Sequence, residues 1–219
     1  LLARLRAAGR TQVRVAFLTD GSGGVEPVDD RRAYAARRRA EAARAAVPLG
    51  IGELTHLDFP DGHLEAYLPE LSEALRELLA AAPPDLLLVP SPAELSADHR
   101  AAFAALHRLL ASLPEGDPLL ASLRATRILA YEVNGPLVPD LLVDVSGELG
   151  AIEEAMAAYA SQEARHPYLD AALGLRRFRT LTLAPEIVAA EAYRELEVAD
   201  FRTRGPRALA AAQMLQRSS

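Results

Sequence analysis

Apolar positions recur along the chain in two alternating patterns, short continuous runs and longer stretches at helical spacing. Leu1, Leu2, Leu5 and Ala8 fall at helical spacing and Gly9 follows as a stop, which predicts an opening helix. Val13, Val15, Phe17 and Leu18 form a β-branched and apolar run ending at Thr19-Asp20-Gly21, a buried strand over 12–19. A loop rich in Gly and Asp spans 20–30, and a long Ala/Arg helix runs from about Arg31 to Val47, closed by Pro48 and Gly50. The alternation repeats with a strand over 54–59, a turn at Pro60-Asp61-Gly62, and a helix over 68–81 stopped by Pro83 and Pro84.

Leu86-Leu87-Leu88-Val89 is a continuous apolar run, as expected of a strand covered on both faces, and a helix from about His99 to Leu110 follows it. A further strand is predicted over 127–133 and a short one over 141–145. Leu149 to Gln162 and Pro185 to Leu196 read as helices. The segment 113–123, with Pro114, Gly116 and Pro118, reads as a mobile loop, and the chain after about Arg204 as weakly anchored. Strand, loop and helix in this order predict α/β architecture: a Rossmann-like, mainly parallel sheet with helices on both faces, in one domain over 1–219 whose part from about 149 is helical.

Composition narrows the chemistry. Half of the 219 residues are apolar, enough for one substantial core. There is no Cys, so thiol catalysis, disulfides and Cys-ligated metal are excluded. All 24 basic residues are Arg, and without a Lys there is no Schiff-base chemistry and no P-loop. A net charge of −6 without a basic, aromatic-studded stripe argues against nucleic acid and for a small-molecule ligand. No apolar run approaches the ~20 residues of a membrane span, and no signal pattern is present, so a cytoplasmic location is expected. Self-association is left open.

In an open parallel sheet, ligands bind beyond the carboxyl ends of the strands. The loops there carry Asp20, Asp61, Glu94, Asp98, His63 and His99. His99 stands in the first turn of a helix, where the helix dipole favours the neutral imidazole that a metal needs. An ordinary N-cap at Ser96 or Asp98 explains the same residues. Arg38 and Glu41 lie three apart on the long helix; surface ion pairing accounts for Arg37 and Arg44, while Arg38 is equally placed to bind a sugar hydroxyl or a phosphate. His56, His107 and His166 read as packing or surface residues. The glycines of Asp20-Gly21-Ser22-Gly23-Gly24 offer a weak anion cradle. No serine-hydrolase elbow, dinucleotide fingerprint or HExxH motif is present.

The order of these pieces resembles the PIG-L/LmbE deacetylases. The resemblance runs through Val15–Gly21, Arg38-Arg39-Ala40-Glu41 to Gly50, Leu57–Leu64, Pro90-Ser91-Pro92 to Ala101, Tyr131-Glu132-Val133 and Tyr159–Gln162. It implies a Rossmann-like fold and hydrolysis of the acetamide of an N-acetylglucosamine-type conjugate, with Zn2+ or another divalent ion. It also implies that His99 is a metal ligand, with Asp98 supporting the site and Ser96 standing where the family has a His. Arg38 and Asp61 match positions near the family's sugar pocket, and Glu94 is a further candidate contact that compensates for Ser96. The family's first strand and its His-Pro-Asp-Asp loop, which carry two metal ligands and the general base, have no counterpart here. The expectation is therefore a central strand absent from the sheet, roughly ~20 residues lying upstream, and a chain inactive as it stands. Two other readings stay open: a non-catalytic sugar-binding or scaffold protein of the same fold, and an unrelated methyltransferase-like or phosphosugar-binding domain.

Overall fold

The computed structural model describes residues 1–9, 12–23 and 30–214. The chain opens with α1 (Leu2–Ala7), β1 (Arg14–Thr19), α2 (Arg31–Ala46) and β2 (Glu53–Phe59). A 3-10 turn over Leu64–Tyr67 leads to α3 (Leu68–Ala81), β3 (Leu86–Pro90), α4 (Ala97–Ser112), α5 (Pro118–Ala125), β4 (Arg127–Tyr131) and β5 (Leu141–Asp144). Then come α6 (Leu149–Ala157), α7 (Ala160–Glu163), α8 (Tyr168–Phe178), β6 (Ala190–Leu196), α9 (Val198–Thr203) and α10 (Pro206–Met214). These elements form two compact units, one of residues 1–61 with 142–191 and the other of 62–141 with 192–219.

In the first unit β1 and β2 pair in parallel, Arg14 opposite Glu53 and Phe17 opposite His56, with an irregularity before Thr19 meets Phe59. Phe17 and His56 stack at 5.1 Å between ring centroids, so His56 is a packing residue as its strand position predicts. Helix α2 starts on a side-chain cap from Asp30 to Ala33 N and buries a stripe of Glu41, Ala42, Ala45 and Ala46. The small alanines let neighbouring elements approach closely, which is why the single large side chain in that stripe, Glu41, is out of contact with water.

The second unit holds the larger apolar core. Val89 of β3 and Ile128 and Ala130 of β4 pack with Phe103, Leu106, Leu109 and Leu110 of α4, and with Leu120 and Leu123 of α5. Strands β3 and β4 run parallel and β4 and β6 antiparallel, in the order β3-β4-β6. The α/β class with helix-flanked strands is as expected, while β6 makes the sheet mixed. Among the described residues β1 has a ladder only with β2, and β3 only with β4, so each of β1 and β3 has one edge without a strand.

Four expectations need correction, the first being the helix over 149–162, which breaks after Ala157 into α6 and α7. The segment expected to be a mobile loop contains α5: Asp117 caps its N-terminus by accepting from Leu119 N at 2.8 Å, Pro118 fits the first helical position, and Leu119, Leu120 and Leu123 enter the core. The stretch 185–196 is a strand from Ala190 on, not a helix. Its Ala and Glu residues have helical propensity, but pairing with β4 and the burial of Ala190, Ala192, Tyr193 and Leu196 override it. The chain beyond Arg204 is anchored, since Leu209 of α10 is 2% exposed within the core.

Phe103 is fully buried and stacks on Phe201 at 5.4 Å. Phe103→Ala is expected to destabilise the protein by about 3–5 kcal/mol, read as a lowered urea midpoint with an unchanged denaturant slope.

Candidate functional site

Polar side chains gather at the strand ends within each unit. In the first unit the loop after β1 is built around two carboxylates. Asp20 Oδ1 accepts from Ser22 N at 2.9 Å and from Asp61 N at 3.4 Å. Asp61 follows β2 and accepts from Thr19 Oγ1 at 2.9 Å through one oxygen and from Gly23 N at 2.9 Å through the other. A Cβ on Gly23 would lie 2.8 Å from Asp61 Oδ2, so only glycine permits this approach. Asp61 thus holds the glycine-rich loop in shape. Gly24, the last residue of the expected anion cradle, lies outside the described residues.

Arg38, on α2, packs against the same loop. Gly21 has φ +68, and a Cβ there would meet Arg38 Cβ, Cγ and Nε at 3.4 to 3.6 Å. The guanidinium lies 5.0 Å from the centroid of the Tyr159 ring, a cation–π arrangement, and Arg38 Nη1 donates to Glu41 Oε2 at 2.7 Å. Glu41 accepts two further hydrogen bonds, from Ser161 Oγ at 2.6 Å and Ser161 N at 2.9 Å, and forms an ion pair with Arg37 Nε at 3.5 Å. Burial pushes the Glu41 carboxyl up, but Ser161 and then Arg38 outweigh it and leave it below its ordinary value. The sequence spacing exposed the Arg38–Glu41 pair. It did not expose Tyr159 and Ser161, which come from a distant part of the chain and carry no signal beyond their place in the family resemblance.

In the second unit the candidates cluster at the start of α4. Ser96 is the N-cap, its hydroxyl accepting from His99 N at 3.4 Å. Asp98 accepts from Gly62 N at 2.6 Å and Leu64 N at 3.0 Å, so both its oxygens are engaged in fixing the turn at 62–64. Glu94 is 2% exposed. Its carboxylate accepts from the backbone N–H of Val133 at 2.7 Å, of Asn134 at 3.1 Å and of Gly135 at 3.4 Å, and it faces His99 Nδ1 at 3.2 Å. An ionised carboxylate only accepts, so Nδ1 is the donor in this contact and a neutral ring so held has its lone pair on Nε2. Glu94 is therefore placed to orient the His99 ring. The three backbone donors are invisible to any motif search because no side chain is involved.

Burial raises the Glu94 carboxyl, and the donors from Val133, Asn134, His99 and Gly135 more than reverse it, leaving it low. Tyr131, at the end of β4, is pushed up to about 12 by burial first and the Glu94 charge second. Its hydroxyl stays protonated at neutral pH. Of the remaining histidines, His107 donates from Nε2 to Arg204 O at 2.7 Å and His166 meets Tyr168 edge-on, which keeps both among the structural residues.

The described residues hold His99 but no complete set of metal ligands around it. A catalytic zinc takes three protein ligands and an open position, and among the described residues no three His, Asp or Glu side chains form such a group. Asp98 and Glu94, the carboxylates nearest His99 in sequence, are committed to backbone donors.

Parallel β-strands joined through helices, with polar side chains beyond their carboxyl ends, make this a Rossmann-like α/β protein. Residues 1–110 match the family model described as PIG-L, GlcNAc-PI de-N-acetylase, and the chain belongs to that family. Among solved structures it is similar to the conserved protein TT1542 from Thermus thermophilus, with 29% identity and a TM-score of 0.67, covering 88% of this chain and 84% of that one. It is also similar to the N,N'-diacetylchitobiose deacetylase of Pyrococcus horikoshii, at 19% identity and TM-score 0.66 over 92% and 79% of the two chains. GalB, the 4-carboxy-2-hydroxymuconate hydratase of Pseudomonas putida, shares the fold at 22% identity and TM-score 0.65 over 89% and 88%. No curated protein matches the sequence.

Both buried carboxylates tie stability to pH with a definite sign. Each has a folded pKa below the ordinary 4.5, so below that value the unfolded chain binds more protons than the native one. Stability is complete above about pH 4.5 and falls as the pH drops through the folded values. Urea midpoints measured from pH 7 downward are expected to show this loss, with a shallower fall in Glu94→Gln and in Glu41→Gln.

Proposed function

We propose that the function of this protein is the family's hydrolysis of the N-acetyl group of an N-acetylglucosamine-type conjugate, with His99 supplying one of the metal ligands that the reaction needs. The observation that carries the reading is the His99–Glu94 pair. A buried carboxylate fixes one imidazole nitrogen and leaves the other as a lone-pair donor at the first turn of a helix. Such a ring is the arrangement expected of a ligand to Zn2+ or another divalent ion, and family membership supports the same chemistry. In this reading Arg38 contacts the sugar, Asp61 holds the loop beside it, and Ser96 and Asp98 shape the turn that presents His99. Hydrolysis replaces the amide C–N bond with a C–O bond from water, releasing acetate and a free amine.

A second reading rests on the donor set itself. With no group of three metal ligands among them, the described residues suit a sugar-binding protein as readily as an enzyme. The hydratase among the structural neighbours is a reminder that this fold hosts unrelated reactions. No helix among the described residues is long and apolar enough to cross a membrane, which suits a ligand met in water. The cytoplasm is the proposed location.

Acetate release from N-acetylglucosamine conjugates, measured with added zinc and again after chelation, separates the two. In a form of the protein that holds a complete metal site, the hydrolase reading expects zinc-dependent release that His99→Ala abolishes and Glu94→Gln lowers by about 10–100-fold. Binding of the sugar by that form without acetate release at any zinc concentration would falsify it and favour the binding protein.

A further inference from the structure

We infer that Glu41 is a positioning residue, holding the Arg38 guanidinium so that its Nε–Nη2 edge is presented to a vicinal pair of sugar oxygens. The inference rests on the reading of Arg38 as a sugar contact and adds what makes that contact selective.

Glu41 is 0% exposed, and an ionised carboxylate out of water needs donors on both oxygens. Three close ones are supplied, by Ser161 Oγ, Ser161 N and Arg38 Nη1, at 2.6 to 2.9 Å. An ion pair on a solvated helix face would have none of this, and would contribute only a few tenths of a kcal/mol. The backbone and hydroxyl donors from Ser161 fix the carboxylate first, and the carboxylate then fixes Nη1. Tyr159 covers one face of the guanidinium plane and Gly21 abuts the aliphatic stem.

A guanidinium so held has lost its freedom to rotate, and its side chain is still 20% exposed. Among the described residues its Nε and Nη2 protons meet no acceptor. Those two N–H groups point the same way and suit two oxygens side by side. On a pyranose that description fits adjacent equatorial hydroxyls. The entropy of immobilising the Arg side chain is met on folding and not on binding, which is where the affinity comes from.

The experiment uses the full chain with N-acetylglucosamine as probe, following affinity by titration and the Arg38 side chain by nitrogen-15 NMR. The Arg38 signals are assigned by their loss in Arg38→Lys. In the parent the Nη protons are expected to be separately resolved. In Glu41→Gln they average, and binding weakens by about three- to tenfold. Ser161→Ala, a milder change that leaves the charge in place, moves both readouts in the same direction by less. If both variants keep the Arg38 signals resolved and the affinity at the parent value, while Arg38→Lys weakens binding, Glu41 is a purely structural residue and the inference is overturned alone. If Arg38→Lys leaves binding unchanged, the assignment of Arg38 as a sugar contact falls, and the inference with it. A Glu41→Gln variant that only unfolds at lower temperature, with binding intact in the folded protein, counts against positioning.

Discussion

A carboxylate removed from water has to be met by donors, and each unit of this protein is arranged around one such requirement. Glu41 in the first unit and Glu94 in the second are both enclosed, and in neither case does an ion pair alone meet the need. Glu41 is met by the backbone N–H and hydroxyl of Ser161 and by Arg38, and Glu94 by three backbone N–H groups and His99. Removing one donor leaves a buried charge under-satisfied, which costs far more than the lost contact is worth by itself. The networks therefore rigidify what they touch, Arg38 in one case and His99 in the other, and they do so at residues a catalytic inventory would pass over.

The legible part of the fold was the part with strong local signals. Leu86-Leu87-Leu88-Val89 marked a strand because four consecutive apolar residues between Pro83-Pro84 and a polar loop admit little else, although only Val89 of the four is buried and the three leucines keep partial exposure. The long helices α2, α3 and α4 carry sequence signals in the stops at Pro48 and Pro83 and the N-cap offered by Ser96. Where the reading failed, tertiary context outvoted local preference. Ala190-Glu191-Ala192-Tyr193-Arg194-Glu195-Leu196 is a good helical sequence, and it is a strand because β4 offers it a ladder. Pro114, Gly116 and Pro118 looked like loop residues, yet Pro118 opens a helix. The helix expected over 149–162 breaks after Ala157, and that break places Tyr159 and Ser161 where Arg38 and Glu41 need them.

The site divided along similar lines. His99, Asp98 and Ser96 were found from their position after a strand and before a helix, and the structure keeps all three at the start of α4. Their roles were less legible than their positions. Whether Asp98 acts as a free carboxylate or as a clamp depends on the N–H groups of Gly62 and Leu64, which lie more than thirty residues away in sequence. The same holds for Asp61, whose identity suggested a sugar contact and whose partners are the hydroxyl of Thr19 and the N–H of Gly23. Sequence names the acidic residues; only the fold says which donors have already claimed them.

Because Glu94 reads Val133, Asn134 and Gly135 through their amides, the loop is recognised by its main chain and not by its side chains. Natural variation at these three positions is then free to change size, charge and polarity at the rim beside His99, where Val133 is already exposed, without disturbing the imidazole. The one residue type barred from all three is proline, which has no amide hydrogen to give. The chain's own proline comes immediately after, at Pro136. A protein built this way can diversify what surrounds its histidine while the histidine itself stays put.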